Sequence, residues 1–181
     1  MSWIKEIDRN ENEVLKKIYE DAEKRTGQPT ANVLKVHSIR PEVLKIHMSL
    51  YEQIMFKEGL LSRMQREMIG VIVSSSNQCP YCVDHHGNAL SHVTSNKELM
   101  IKIINDYHQA GLNNLDLAIC SYAEKLTKDP YKVQEEDVEA LRQFGLDDKT
   151  IFDVNQIVAY FNYVNRIVHG LGVKLEYLEE N

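Results

Sequence analysis

No stretch of this 181-residue sequence is apolar enough to cross a bilayer. A spanning helix needs roughly 18 or more consecutive apolar residues, so no membrane partner is expected. The opening segment, MSWIKEIDRNENE, lacks the apolar centre of a secretory signal. Basic charge is also short: 21 Lys and Arg stand against 27 Asp and Glu, for a net charge of -6. A phosphate-binding surface needs a basic excess, so no nucleic-acid partner is expected either. Cysteine occurs only three times. An odd, low count is not the framework of a disulfide-stapled secreted domain. The expected location is cytoplasmic, where thiols stay reduced and a close pair is catalytic or metal-binding. With only four prolines and eight glycines, the chain has no linker and no low-complexity tract. Residues 1–181 therefore read as a single domain, long enough to bury a core.

The hydrophobic pattern is helical almost throughout, and no βαβ alternation or convincing strand is present. Val14, Leu15, Ile18 and Ala22 recur at helical spacing until Gly27-Gln28-Pro29. Pro41 opens a second long helix with a stripe of Leu44, Met48, Tyr51 and Met55. Ser62 and Gln65 form a capping box that starts a third, in which Met64, Met68, Val71 and Ile72 share a side. Glu67 falls at the edge of that arc and is expected to be partly buried. Ser74-Ser75-Ser76-Asn77 breaks the pattern, and a new helix starts at Pro80. Ser95 and Glu98 read as a further capping box for a helix ending near Gly111. Helices over Leu117–Leu126, Glu135–Phe144 and Asp148–Val168 complete an all-α fold of about seven or eight helices.

The chemistry concentrates in RMQREMIGVIVSSSNQCPYCVDHHGNAL. Glu67 is followed after eleven residues by Cys79-Pro80-Tyr81-Cys82, and after three more by His86. Two cysteines at this spacing can alternate between dithiol and disulfide. His86 lies one helical turn beyond Cys82, on the same face. With Pro80 as the first helical residue, Cys79 is the cap and Cys82 sits in the first turn. Unpaired N–H groups and the helix dipole are expected to lower a thiol pKa there. The combination points to an activated thiol with a resolving partner.

At these residues the chain resembles the AhpD-like, or carboxymuconolactone decarboxylase-like, superfamily, on its alkylhydroperoxidase side and in the branch of peroxidase-related enzymes. RPEVLKIHMSLYEQIM before the motif resembles that branch. So do LTKDPYKVQEEDVEALRQFG and AYFNYVNRIVHGLGVKLE after it. The likeness spans roughly residues 30–176. It implies an AhpD-like helical bundle and a homo-oligomer, commonly a trimer or a hexamer. By position it makes Cys82 the peroxidatic cysteine, Cys79 the resolving one, and Glu67 with His86 the proton relay. It implies a hydroperoxide substrate, an external dithiol reductant and no cofactor. The alkylhydroperoxidase pattern carries His immediately before the second cysteine, where this chain has Tyr81. A phenol with an ordinary pKa near ~10 relays protons poorly at neutral pH, yet can donate a hydrogen bond.

Other readings stand beside this one. The same pair suits a general thiol–disulfide oxidoreductase or redox sensor. A non-enzymatic helical oligomer with a structural or metal-binding pair is the third possibility. Zinc needs four ligands, and Cys79, Cys82 and His86 supply three, with His85 or His92 to complete the set. The second ligand pair of structural zinc motifs is missing, so no metal is expected. Cys120, among apolar residues, reads as a core thiol. His37, His47, His108 and His169 share no ligand spacing. Asn162, Asn165 and Arg166 lie in an apolar context on the last helix. They read as interhelix or intersubunit hydrogen-bonding groups, with no chemistry assigned.

Overall fold

The structure is a computed structural model and describes residues 2–178. Among these residues there are nine α-helices and no strand. They are α1 (Glu13–Thr26), α2 (Asn32–Lys35), α3 (Pro41–Phe56), α4 (Arg63–Ser76), α5 (Pro80–Thr94), α6 (Lys97–Asp106), α7 (Asn114–Lys128), α8 (Glu135–Gln143) and α9 (Asp148–Leu171). The all-α reading of the sequence holds, and none of these helices is long and apolar enough to cross a membrane.

The chain divides into two compact units. One comprises Met1–Gln53 with Arg166–Asn181, the other Ile54–Asn165. In the first, Leu15, Tyr19 and Ala22 of α1 pack with Leu44 and Met48 of α3. Fully burying a leucine such as Leu15 contributes about 2 kcal/mol. Asn12 caps α1 by accepting from the Val14 and Leu15 N–H groups, and Gly27, with φ +66°, ends it in the left-handed conformation that a helix terminus favours. This unit also brings the His37 and His47 rings to 4.7 Å, a pairing their ten-residue separation did not suggest.

The second unit contains all the residues of the Cys-x-x-Cys motif. Its α4 packs against α5 and α7. Arg66 through Ser74 are all buried, so α4 is a central helix rather than an amphipathic one. That is why Glu67, expected at a half-buried edge, is 0% exposed. The Ser62–Gln65 capping box forms as read, with Gln65 N–H donating to Ser62 Oγ at 3.2 Å and Ser62 N–H to Gln65 Oε1 at 2.9 Å.

Two boundaries differ from the sequence reading. The serine cluster does not end α4 at its first residue: the helix continues to Ser76, and the buried Ser74 Oγ accepts from Asn165 Nδ2 at 3.2 Å. Asn96, not Ser95, caps α6, accepting from Leu99 N–H at 2.9 Å. Ser95 instead takes a left-handed conformation, φ +51°, at the end of α5. Short elements were also hidden: 3₁₀ turns at Arg9–Glu11, Tyr107–Gln109, Pro130–Lys132 and Glu176–Leu178, and α2, which is a single turn.

Candidate active site

The turn between α4 and α5 places the two cysteines. Gln78 adopts φ +53°, the left-handed position usually filled by glycine. Its N–H bonds Ser75 C=O at 3.0 Å, and the next N–H, that of Cys79, bonds Ser74 C=O at 2.9 Å. These are the two bonds of a Schellman ending. Cys79 C=O then accepts from Val83 N–H at 3.0 Å, and Pro80 follows as the first residue of α5. Cys79 thus closes one helix and opens the next, so both of its backbone bonds are committed.

All three cysteines are buried thiols. Cys79 and Cys82 hydrogen-bond each other through their side chains. The Cys82 thiol does not show the lowered pKa expected at a helix start. Its bond to the Cys79 sulfur, burial, and the charge Cys79 would carry all hold it well above the ordinary thiol range. A hydrogen bond from Asn165 pulls the other way. The helix-start argument assumed a solvated sulfur, whereas Cys82 is 2% exposed. Two adjacent sulfurs in such a place cannot both be anions. At rest the pair therefore holds at least one proton between the two sulfurs.

An imidazole stands on the same helix, that of His86. His86 Nδ1 lies 2.7 Å from Glu67 Oε2. A carboxylate oxygen in this contact accepts and Nδ1 donates, and in a neutral imidazole so bonded the lone pair lies on Nε2. Glu67's other oxygen pairs with Arg63, one turn earlier on α4. Arg63 is itself held by Met55 C=O at 2.9 Å and lies 3.9 Å over the Phe56 ring. The His86 ring packs edge-on against Phe161 of α9, centroids 4.4 Å apart. Beneath it, Gly70 leaves no room for a side chain: a Cβ there would lie 3.1 Å from both His86 Cγ and Phe161 Cε2. The imidazole is fixed from three sides.

Tyr81 is buried, and its ring lies 4.5 Å from that of His85. The phenol thus sits beside the imidazole one turn on. Cys120 is fully buried, and burial first, then Asp116 and Glu124, pushes its thiol pKa up. That is the behaviour of an inert core thiol. Among the described residues, no three His, Cys, Asp or Glu side chains converge as a metal site would require.

The structure therefore brings Glu67 to His86 and Cys79 to Cys82, and puts His86 one turn from Cys82 on α5. Arg63 and Asn165 were missed as site residues. Arg63 carried a legible signal, since Arg and Glu at this i,i+4 spacing face each other on a helix. Asn165 lies far along the chain, and no local spacing links it to the cysteines.

A model of the carboxymuconolactone decarboxylase family matches residues 41–102. The search of curated proteins found no match. Among solved structures, an uncharacterised peroxidase-related protein from Silicibacter sp. TM1040 is 30% identical. The alignment covers 91% of this chain and 86% of that one, with a TM-score of 0.86. A second, described as an alkylhydroperoxidase AhpD core and uncharacterised peroxidase-related protein, comes from Ralstonia eutropha JMP134. It is 26% identical over 97% of this chain and 92% of its own, with a TM-score of 0.89. The debrominase Bmp8, solved in complex with 2,3,4-tribromopyrrole, is 17% identical over 97% of this chain and 94% of that one, with a TM-score of 0.82. At that identity the likeness is one of fold.

Proposed function

The chain belongs to the AhpD-like, carboxymuconolactone decarboxylase-type superfamily, and on that footing we propose that it is a thiol-dependent peroxidase acting on organic hydroperoxides. The observation that carries this reading is the buried Glu67, which holds His86 Nδ1 at 2.7 Å one turn from a buried Cys82 thiol. A purely structural cysteine pair needs no such base.

In the proposed cycle His86 Nε2 takes the Cys82 proton as the sulfur attacks the distal oxygen of the hydroperoxide. The S–O bond forms and the O–O bond breaks. Sulfur loses two electrons and becomes a sulfenic acid. The alkoxide leaves and takes the proton back from His86 as the alcohol. Cys79 then attacks the sulfenic sulfur. The S–S bond forms, the S–O bond breaks, and water departs with the Cys79 proton. An external dithiol reduces the disulfide by two exchange steps and is itself oxidised to a disulfide. No cofactor or metal takes part. Glu67 keeps His86 in the tautomer that has its basic nitrogen available, and Arg63 balances the carboxylate charge inside the unit.

The reading includes a homo-oligomer in the cytoplasm. Val43, Ile46 and Leu50 are exposed along α3, with Ile46 at 70%, a surface that a second copy would cover. A general thiol–disulfide oxidoreductase on the same residues is the second reading, favoured by Tyr81 in the place of the family's histidine.

The test is to count thiols before and after one equivalent of an organic hydroperoxide, with peptide mapping. Loss of two of the three thiols to a Cys79–Cys82 disulfide within seconds is expected. Three surviving thiols would overturn the peroxidase reading. If a small disulfide probe then still oxidised the pair, the second reading would replace it.

A further inference from the structure

An amide has a donor end and an acceptor end, and the end that faces a sulfur decides whether negative charge there is helped or opposed. Asn165 of α9 is fully buried. Its Nδ2 donates to Ser74 Oγ at 3.2 Å, and the side chain also hydrogen-bonds the Cys82 thiol.

Its orientation is dictated by partners stretching back to α7. Thr127 Oγ1 donates its hydrogen to the Ala123 carbonyl at 2.7 Å. It must therefore accept from Asn162 Nδ2, 3.0 Å away. Asn162 Nδ2 also donates to Val158 C=O at 3.0 Å. That turns Asn162 Oδ1 toward Asn77, whose Nδ2 donates to it at 3.0 Å. The same Asn77 amide donates to Asn165 Oδ1 at 2.9 Å. Because Asn165 Oδ1 is engaged by Asn77, the Nδ2 end with its two N–H groups is turned away from Asn77. One serves Ser74 and the other faces Cys82. Flipping Asn165 would set two amide nitrogens against each other at Asn77, so the network permits one orientation.

We propose that Asn165 is a catalytic group of this site: its carboxamide N–H donates to Cys82 Sγ and stabilises the negative charge that sulfur carries when deprotonated and when released from the disulfide. The inference rests on the reading of Cys82 as the attacking sulfur. A neutral amide suits the position. It counters burial and the neighbouring Cys79 without burying a fixed cation beside the sulfurs. It also neither takes up nor releases a proton during the cycle. This makes the last helix, outside the Glu-Cys-Cys-His motif, part of the thiol chemistry.

The test is the pH dependence of Cys82 alkylation by iodoacetamide, mapped by peptide, in Cys79→Ser and in Cys79→Ser with Asn165→Ala. A hydrogen bond to a charged group sets the scale. Its loss is expected to raise the alkylation midpoint by about one to two pH units, a roughly ten- to hundredfold lower thiolate fraction at neutral pH. Asn77→Ala in the same background keeps Asn165 but frees its oxygen. It is expected to raise the midpoint by less, and it carries the test if the Asn165→Ala protein does not fold by circular dichroism. A midpoint unchanged in the folded variants overturns the assignment. Peroxide consumption is followed separately in the wild type and in Asn165→Ala. If the wild type consumes none while the midpoint shifts as expected, the peroxidase reading fails and the Asn165 assignment stands. If the wild type consumes peroxide and the midpoint does not move, the Asn165 assignment alone falls.

Discussion

Glu67 is shared between two partners that the chain supplies from different helices: His86 of α5 meets Oε2 at 2.7 Å, and Arg63 of α4 takes Oε1. The carboxylate is 0% exposed, so these contacts stand in for the water it gave up. Arg63→Met would leave one oxygen of a buried carboxylate without its cation. A stability loss of about 1–3 kcal/mol is expected in urea unfolding, together with slower peroxide turnover. A variant as stable and as active as the wild type would show that Arg63 is ornamental.

Glu67→Gln tests the relay with little change of shape. The amide can present its N–H to His86 Nδ1 and select the wrong tautomer, leaving Nε2 protonated and unable to act as base. Proton-transfer groups typically contribute about 10²–10⁴-fold to rate, so a fall of at least ~100-fold in peroxidase turnover is expected. Cys82 alkylation at high pH, where hydroxide replaces the base, should change far less.

Gly70→Ala intrudes where the His86 ring is seated. The new methyl would meet His86 Cγ and Phe161 Cε2, each at 3.1 Å. Contacts this tight force one ring to move. The expected result is a folded protein with a displaced imidazole, seen as a shifted His86 resonance by NMR and a reduced rate. Unchanged His86 shifts with full activity would mean that Phe161 alone yields.

His37 and His47 set an acid limit on the other unit. Burial, then the neighbouring His37, pushes the His47 pKa down to about 4, and burial also lowers that of His37. Above the ordinary value of ~6.5 both rings are neutral whether folded or not, and stability is complete. As pH falls below ~6.5 the unfolded chain takes up protons that the folded chain refuses. Stability is then lost progressively until about pH 4, by about 3 kcal/mol for His47. Urea midpoints measured between neutral pH and pH ~5 should fall, and His47→Leu should flatten that slope. An equal slope in both proteins would place the acid sensitivity elsewhere.

Cysteine variants separate the two sulfurs. Cys82→Ser is expected to abolish peroxide turnover, whereas Cys79→Ser permits one oxidation and then stalls as a sulfenic acid that a dimedone-type reagent traps. Equal, undiminished turnover in both would remove the pair from the mechanism.

Much of this architecture is written locally. The Ser62–Gln65 box, Gly27 after α1, Pro41 and Pro80 at helix starts, and the apolar spacing of each segment act over one or two turns, so the sequence alone places the longer helices. The box at Ser95 failed for a local reason too: Asn96, one residue on, is as good a cap, and Ser95 was needed in the left-handed position that ends α5. Glu67, Cys79, Cys82 and His86 were legible because their helix spacing and family resemblance coincide.

What the sequence by itself determined is therefore the all-α class, caps such as the Ser62–Gln65 box, and the alignment of His86 with Cys82 along one helix, since all of these follow from the 3.6-residue period and the chemistry of neighbours. Only the tertiary structure decided the charge balance. Whether Cys82 holds its proton depends on the water that packing removes and on Asn165, 83 residues further along the chain. Whether Glu67 stays paired depends on two helices meeting. Electrostatic energies of buried groups are set by distance and solvent exclusion, and neither is encoded in local spacing.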